Sequence, residues 1–443
     1  MITTNAADAA KSLGSGFTRD LGQPFNVSTE PQPGLGAVHE LTKHATGDRL
    51  YTANTDEITQ AVDDGYRDTG IAFYAFAGQP DCGTTQIFRM VKRHRSQYPA
   101  TTDARSSLAE SGWSEASVAF SARLNDSWSW PTTTGKGPLD QPPYLYQHSK
   151  AWTAYQDASD ASTRQLLYQI AATPTAVWLG GSPDEQAGID AIETKAVSQH
   201  TTPEFVLYAI PKRDCGGYAA GGLGGPSAYE SWIRQVRAGI AGRPTVVIAE
   251  PDAIGMSCLG TAARNDRIAM LRYAVQTLSK DPNTWVYLHA GSSQLKPAQV
   301  VPTLLQIGLQ GARGLAINVS SYGSTQKEMQ YGDQLLEDLA QHGVHGLHYV
   351  IDTSRNGLGR APAGSADAAH SFCNQRGRAL GQRPTPVTGN PNVDAFLWIK
   401  PPGETDGGCF PGDAASGWFQ SYALDLVQRS LAHQTISELP LPR

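Results

Sequence analysis

Residues 243–252 read Arg-Pro-Thr-Val-Val-Ile-Ala-Glu-Pro-Asp, a short β-branched run that ends on two acids on either side of a proline. An apolar run of this kind predicts a buried parallel strand. In open parallel sheets and (β/α) barrels, the residues that carry chemistry follow the C-terminal ends of the strands. We therefore interpret Asp252 as a candidate catalytic residue. The alternative, an Asp that starts the next loop or caps a helix, stays open at this point.

The composition is that of a protein with a large core. The chain has 443 residues, of which 40% are hydrophobic and 17% are charged, and its net charge is −6. This length favours two domains, and the charge gives no reason to expect nucleic acid or an anionic membrane as a partner. No apolar run approaches the ~20 residues of a spanning helix, and the polar start at Met1 is not a signal peptide. The protein is therefore cytosolic, or the chain begins after a removed leader.

The five cysteines are Cys82, Cys215, Cys258, Cys373 and Cys409. They lack the close-paired spacing of zinc sites, and we expect no metal or other cofactor. Two disulfides and one spare thiol is the favoured count, which indicates a secreted, extracellular protein.

Residues 1–122 contain a degenerate repeat. Tyr51-Thr-Ala-Asn-Thr-Asp-Glu recurs as Tyr98-Pro-Ala-Thr-Thr-Asp-Ala, and Ile71-Ala-Phe-Tyr recurs as Val118-Ala-Phe-Ser, each 47 residues later; a further copy starts at Ile2. Units of this size with short strands predict a β-rich, pseudo-threefold module. The segment resembles a bacterial repeat domain of unknown function. Its aromatic residues could stack on sugar rings, but burial in a repeat core is favoured.

Residues 123–143 are rich in Pro, Gly, Ser and Thr without periodicity and are interpreted as a linker. In residues 144–443, strand-like and helix-like segments alternate, which predicts a parallel α/β sheet closed into a barrel. The predicted strands are Tyr144–Tyr146, Thr175–Leu179, Glu204–Ile210, Thr245–Ala249, Thr284–Leu288, Gly314–Val319, Leu347–Ile351 and Ala395–Ile399.

The ends of these predicted strands carry aromatic rings, a lysine and several acids. They are Trp178, Tyr208, Asp214, Asp252, Lys400, Glu404 and Asp406. Glycoside hydrolysis needs one protonated carboxyl for the leaving oxygen, one carboxylate for water or the sugar, and rings that stack on the substrate. This set of residue types indicates that chemistry.

Five segments carry a close resemblance to a known family. They are Arg213–Gly222, Val247–Asp252, Ile351–Gly357, Cys373–Gly381 and Leu397–Asp406. They resemble glycoside hydrolase family six, the inverting β-1,4-glucanases and cellobiohydrolases, in the family's order over residues 145–435. The resemblance implies a distorted (β/α) barrel that acts on β-1,4-glucan with inversion.

The resemblance also implies roles for single residues. Asp252 matches the general acid, Asp214 matches the neighbouring acid that raises its pKa, and Asp406 matches the proposed base, which can act through a chain of waters. The residues that match sugar-binding positions or are predicted to contact substrate are Tyr208, Trp178, Lys400, Glu404, Asn318 and His289. For Lys400 and Glu404, a loop ion pair is the alternative.

Cys215 with Cys258 and Cys373 with Cys409 match the two disulfides of the family, and Cys82 has no partner. The expected partner is a β-glucan polysaccharide such as cellulose, and we expect a monomer. The repeat module is a possible second carbohydrate-binding site.

This chain departs from the family pattern at several positions. His289 stands where the family has an acid, Ser292 stands where it has a histidine, and Leu295 replaces a sugar-stacking tryptophan. Ala219 replaces a serine that could hold a catalytic water, and Phe372 replaces a tryptophan. Fewer aromatic platforms predict a weaker grip on long chains or a different glucan.

Three functions outside this family fit the sequence less well. A dinucleotide site at Gly221–Gly225 lacks the G-x-G-x-x-G spacing, and no G-x-S-x-G nucleophile motif is present. A glycan-binding protein that has lost activity is disfavoured, because a dead site has no need of three acids. Within the family, a cellobiohydrolase or a mixed-linkage β-glucanase stays possible.

Only five residues separate Asp252 from Cys258 and eleven separate Asp406 from Trp418. Loops of this length are too short to cover the cleft, which predicts an endo-acting enzyme.

Overall fold

A computed structural model describes residues 25–28, 31, 35–75, 85–93, 95–99, 102–124, 137–255, 258–365 and 373–441. The chain divides into two compact units. One comprises Met1–Trp128 and His433–Leu439, and the other comprises Ser129–Ala432 and Pro440–Arg443. None of the described helices combines the length and the apolarity needed to cross a membrane.

The first unit repeats one strand–strand–helix–strand motif. Its elements are β1 (Phe25–Asn26), β2 (Gly36–Lys43), β3 (Asp48–Thr52), α1 (Thr55–Asp63), β4 (Arg67–Ala75), β5 (Thr85–Lys92), β6 (Arg95–Gln97), α2 (Thr102–Glu110) and β7 (Ser114–Leu124). Two antiparallel sheets result, ordered β3-β2-β4 and β1-β7-β5-β6. Most of the further copy predicted from Ile2 lies outside the described residues, so the threefold repeat stays a prediction.

Equivalent aromatic residues of the two copies meet in the core of this unit. The rings of Phe73 and Phe120 lie edge to face at 5.2 Å, and those of Tyr51 and Tyr98 at 5.6 Å. The backbone N–H of Tyr51 donates to the Tyr98 hydroxyl at 2.7 Å. Tyr51, Phe73 and Phe120 are buried, so these rings serve the repeat core.

The second unit is a parallel sheet flanked by helices. The strands, in their order across the sheet, are β8 (Val177–Leu179), β9 (Glu204–Leu207), β10 (Thr245–Ala249), β11 (Thr284–His289), β12 (Gly314–Ile317), β13 (His348–Asp352) and β14 (Val393–Leu397). The helices are α3 (Lys150–Asp157), α4 (Ala161–Ala171), α5 (Glu185–Ser198), α6 (Pro226–Ile240), α7 (Thr261–Leu278), α8 (Pro297–Ile307), α9 (Thr325–Gln341) and α10 (Gln420–Ala432). Every residue of β10, the strand that precedes Asp252, is buried.

The sheet curls into a barrel that is closed by single hydrogen bonds. The backbone N–H of Ala176, beside β8, donates to the carbonyl of Trp398, beside β14, at 3.1 Å. The indole N–H of Trp178 donates to the carbonyl of Ile399 at 2.9 Å. No ladder joins β8 to β14. The expected distorted (β/α) barrel is therefore confirmed.

The predicted count of eight strands is wrong, because Tyr144–Tyr146 is not a strand. Pro143 forms only an isolated parallel bridge with Thr202, whose carbonyl accepts the N–H of Tyr144 at 2.8 Å. Proline has no N–H to donate to a ladder, and two consecutive prolines precede Tyr144. The described part of the barrel therefore has seven strands.

The barrel interior is packed with apolar side chains, and one of them comes from the segment interpreted as a linker. Leu139 lies in a short 3₁₀ turn and is buried against Val206, Ile248 and other interior residues. The Thr202 hydroxyl donates to the carbonyl of Pro138 at 2.6 Å. The C-terminal end of the 123–143 segment therefore packs as part of the barrel.

We expect Leu139→Ala to destabilise the barrel unit by about 2–5 kcal/mol, because it opens a cavity in the barrel interior. Urea unfolding followed by tryptophan fluorescence measures the loss. The matched control is Val197→Ala on α5, whose side chain is 47% exposed and should cost less than about 0.5 kcal/mol. Equal effects of the two substitutions would contradict the packing role of Leu139.

Candidate active site

A sharp backbone turn after β10 carries Asp252. Glu250 and Asp252 both have left-handed backbone conformations, with φ of 48° and 66°. The N–H of Asp252 donates to Nδ1 of His289, at the end of β11, at 2.8 Å. Burial lowers the pKa of His289 to about 4, so the imidazole is neutral and Nδ1 accepts. His289 thus fixes the backbone that carries Asp252.

Glu250 anchors the same turn from the other side of Pro251. Its fully buried carboxyl accepts the N–H groups of Ala209 and Ile210 at 3.2 and 3.1 Å. Burial raises the pKa of Glu250 to about 7. Glu250 therefore ties the end of β10 to the segment that follows β9. No role was predicted for Glu250 from the sequence, although an acid directly after a fully buried strand is a signal for a buried structural carboxyl.

The Asp252 side chain remains accessible to solvent, yet protein groups surround it. Desolvation, together with the carboxylates of Asp214 and Asp406, raises the pKa of Asp252 to about 6. The structure therefore brings Asp214 and Asp406 within electrostatic range of Asp252.

Asp214 lies in a strained turn between β9 and α6. Asp214 and Cys215 have φ of 53° and 49°, and Oδ2 of Asp214 accepts the N–H of Ala219 at 2.7 Å. A Cβ at position 217 would lie 2.5 Å from Oδ2, so this turn requires Gly217. The disulfide between Cys215 and Cys258 links the turn to the loop that follows Asp252.

Asp406 is held as a carboxylate by two cations. Nη1 of Arg355 lies 2.6 Å from Oδ2, and Nζ of Lys400 lies 3.2 Å from Oδ1. The N–H of Asn374 donates to Oδ2 at 3.0 Å. Although burial opposes ionisation, the charges of Arg355 and Lys400 keep the pKa of Asp406 below its usual value. The disulfide between Cys373 and Cys409 joins the Asn374 and Asp406 loops.

Arg355 is a further residue of the candidate site, and it was not predicted from the sequence. Its guanidinium is fully buried and stacks over the ring of Tyr322 at 4.6 Å. The signal was present, because Arg355 belongs to the quoted segment Ile351–Gly357. Its pairing with Asp406, 51 residues further along the chain, depends on the tertiary fold.

The predicted aromatic residues meet in a pocket of about 410 Å³. Trp178 and Tyr208 lie edge to face at 5.1 Å, and Nζ of Lys400 lies 5.9 Å from the centre of the Trp178 ring. Glu404 and Asp406 also line the pocket, whereas Asp252 and Asp214 do not line it. It is lined by Lys150, Trp178, Leu179, Gly180, Tyr208, Arg213, Tyr218, Ala219, Glu404, Thr405, Asp406, Gly407, Ala415, Ser416 and Gly417.

The two polar candidates on the β14 loop do not pair with each other. Lys400 pairs with Asp406, whereas Glu404 accepts from Nζ of Lys150 at 2.7 Å. Lys150, at the start of α3, was not predicted from the sequence.

Asn318 differs from the other candidates because its side chain is fully buried. Its amide nitrogen donates to the carbonyl of Asp352 at 2.8 Å, and its amide oxygen accepts the N–H of Gly323 at 2.9 Å. Asn318 therefore supports the loop after β12 and does not line the pocket. Any contribution to substrate binding would act through that loop.

Two departures from the family pattern are explained by their neighbours. Ser292 accepts a hydrogen bond from Arg360 at 3.0 Å, and Leu295 packs against the hydrophobic core. Phe372 and Cys82 lie outside the described residues. Within the described ranges, no cluster of three or more His, Cys, Asp or Glu side chains could hold a metal ion.

Comparisons with known proteins agree with this geometry. The family model "Glycosyl hydrolases family 6" matches residues 136–430, and "Domain of unknown function (DUF5648)" matches residues 1–123. Endoglucanase A of Cellulomonas fimi is 39% identical over 65% of this chain and 61% of its own length. Endoglucanase 1 of Streptomyces halstedii is 36% identical over 68% and 90%.

A solved structure extends the comparison to three dimensions. The endoglucanase Cel6 from Mycobacterium tuberculosis, in complex with a methyl-cellobiosyl thio-cellobioside, has 39% identity and a TM-score of 0.61, covering 66% of this chain and 99% of that one. The family resemblance predicted from the sequence is confirmed. This chain belongs to glycosyl hydrolase family 6, with a domain of unknown function at its N-terminal end.

Proposed function

We propose that this chain is an endo-acting β-1,4-glucanase that hydrolyses internal bonds of β-glucan with inversion. One observation carries the proposal: two carboxyl groups that lie within electrostatic range of each other have pKa values that their surroundings move in opposite directions. The pKa of Asp252 is raised to about 6, whereas the charges of Arg355 and Lys400 lower the pKa of Asp406. Such a split is how enzymes assign the acid and the base of a reaction.

In the proposed reaction, Asp252 gives its proton to the glycosidic oxygen as the bond from that oxygen to the anomeric carbon breaks. A water attacks the anomeric carbon from the opposite face, and its proton passes to Asp406, directly or through a chain of waters. Asp214 acts as the like charge that keeps the proton on Asp252. Tyr208 and Trp178 hold the sugars by stacking, and Lys400 and Glu404 bind their hydroxyl groups.

The names of the relatives support the choice of substrate. The proteins with 36–39% identity are called endoglucanases, whereas those called probable 1,4-beta-D-glucan cellobiohydrolase are 28% identical. A cello-oligosaccharide analogue occupies the related Mycobacterium enzyme. The disulfides Cys215–Cys258 and Cys373–Cys409 support an extracellular enzyme.

The loop that follows Asp406 supports endo action. The N–H of Thr405 donates to the carbonyl of Gly417 at 3.0 Å, and the Thr405 hydroxyl donates to the carbonyl of Ala414 at 2.8 Å. The side chain of Asp413 accepts from Asn374 at 2.9 Å. The hydrogen bonds of Thr405 join the two ends of this loop, so residues 405–417 lie along one wall of the pocket. A cleft left open in this way accepts the middle of a polymer.

We expect Asp252→Ala to lose roughly 10²–10⁴-fold in rate on carboxymethyl cellulose, because general-acid catalysis is worth about that much. Reducing-end release measures the loss, and circular dichroism and cello-oligosaccharide binding should be unchanged. Glu337→Ala, at an exposed acid on α9, serves as the control. NMR of fresh wild-type product should show the α-anomer, and net β-product would rule out inversion.

The pKa of Asp252 predicts the basic limb of the pH profile. Because Asp252 must be protonated, kcat/KM should fall as the pH rises above about 6. Asp214→Asn removes a neighbouring negative charge and should move this limb to lower pH, whatever it does to the maximum rate. Asp425→Asn, at an acid on α10 outside the cleft, should leave the limb in place, and a limb equally placed in all three proteins would contradict the assignment.

We expect the enzyme to lower the viscosity of carboxymethyl cellulose faster than it releases reducing ends, because an open cleft cuts within the chain. Viscometry and a reducing-sugar assay on the same samples give the ratio. Cellobiose as nearly the sole early product, with viscosity unchanged, would show exo action. Binding of cello-oligosaccharides without turnover would favour the glycan-binding alternative.

A further inference from the structure

A second cavity adjoins the pocket that contains Trp178 and Tyr208. Its volume is about 470 Å³, and Lys150 lines both cavities. The second cavity is formed by the segment before α3, by α3 itself, by the turn into α4 and by the residues that begin α10. Asp406 lines the first cavity, whereas none of the three proposed catalytic acids lines the second, so the second cavity is separate from the proposed reacting centre.

The residues that line the two cavities contact one another. Lys150, on one side, pairs with Glu404 of the first pocket at 2.7 Å. Glu404 in turn forms an isolated antiparallel bridge with Trp418, which lines the second cavity. Gly403 lies against the Trp418 ring so closely that a Cβ there would be 2.6 Å from ring atoms. The strip that presents Glu404 to one cavity is therefore the strip that positions Trp418 in the other.

The lining of the second cavity is suited to a sugar. It combines Trp418 with polar groups of both kinds: His148 and Lys150 as donors, and Asp157 as an acceptor. The His148 ring lies edge to face with Tyr146 at 5.7 Å, which orients it. A volume of about 470 Å³ is within the range of small-ligand sites, roughly 300–1,000 Å³.

We propose that this second cavity binds at least one further glucosyl unit of the same glucan chain, beyond the unit that stacks on Trp178. The inference rests on the proposed glucanase function and deepens it. A chain cut at an internal bond continues past Trp178, and Lys150, which lines both cavities, lies where that chain would enter the second one. Binding energy from such a remote unit is available to the transition state and raises kcat/KM for longer substrates.

The test measures kcat/KM on cellotetraose, cellopentaose and cellohexaose for the wild type and Ala154→Trp, which places an indole in the second cavity. Gln156→Trp puts the same side chain on the exposed face of α3, outside the cavity, as the matched control. For the wild type and the control, kcat/KM should be higher on the longer substrates than on cellotetraose, by about 3- to 10-fold for each hydrogen bond made to the added unit. Ala154→Trp should lose that gain and keep its rate on cellotetraose.

Cellopentaose labelled with ¹⁸O at its reducing end shows which side of the cut is bound. In Ala154→Trp, a smaller fraction cut between the third and fourth units from the non-reducing end places the second cavity on the non-reducing side, and a smaller fraction cut between the second and third units places it on the reducing side. An unchanged distribution of cuts would contradict the inference. If that variant loses cellotetraose activity as well, His148→Ala is measured in its place and should show a smaller loss of the same kind.

Two results would overturn the inference and leave the glucanase function standing. In one, the wild type cleaves cellotetraose but its kcat/KM does not rise on longer substrates. In the other, kcat/KM rises equally in the wild type and in Ala154→Trp. Failure of the wild type to cleave any of the three would overturn both. Calorimetric titration of Asp252→Ala with the same oligosaccharides gives a readout without turnover. Tighter binding of cellohexaose than of cellotetraose is expected there, and equal affinities would count against the second cavity.

Discussion

The cleft depends on the ion pair between Arg355 and Asp406. Taking two charges out of water costs several kcal/mol for each ion, and such a pair persists only when further hydrogen bonds satisfy both groups. Lys400 and the N–H of Asn374 supply them to Asp406, and the ring of Tyr322 covers Arg355. Asp406 therefore stays ionised although it is only slightly exposed to solvent. Its negative charge in turn contributes, after desolvation and the charge of Asp214, to the raised pKa of Asp252.

Backbone strain is concentrated where the strands end. Left-handed conformations occur at Asp214, Glu250, Asp252, Asn318 and Asn374, each beside the cleft or in a loop that supports it. Such conformations cost about 1–3 kcal/mol each for non-glycine residues and persist only where surrounding contacts determine them. Buried groups supply those contacts: the carboxyl of Glu250 binds Ala209 and Ile210, and the amide of Asn318 binds Gly323. The barrel thus fixes the carboxyl groups before any substrate arrives.

The exchange of an acid for His289 has a structural consequence that is visible here. A second carboxylate at this buried position would add negative charge beside Asp252 and raise its pKa further. A neutral imidazole adds no charge and accepts the N–H of Asp252 through Nδ1. The turn that carries Asp252 is therefore held by a hydrogen bond, while the electrostatic control of its pKa is left to Asp214 and Asp406.

The sequence by itself determined the family, the parallel barrel and the edge of the sheet at which the acids lie. It did so because apolar β-branched runs such as Thr245–Ala249 indicate buried parallel strands, and the residues that follow parallel strands lie at the same edge of the sheet. Only the tertiary structure decided the partners across the sheet: Arg355 for Asp406, His289 for Asp252, and Lys150 for Glu404, which is 254 positions away. Only the structure showed that Tyr144–Tyr146 is not a strand and that Leu139 is buried in the barrel, because both depend on which residues pack against these segments. Hydrophobic periodicity records which face of a segment is buried, whereas the partner of a buried charge is fixed by long-range geometry that no local pattern contains.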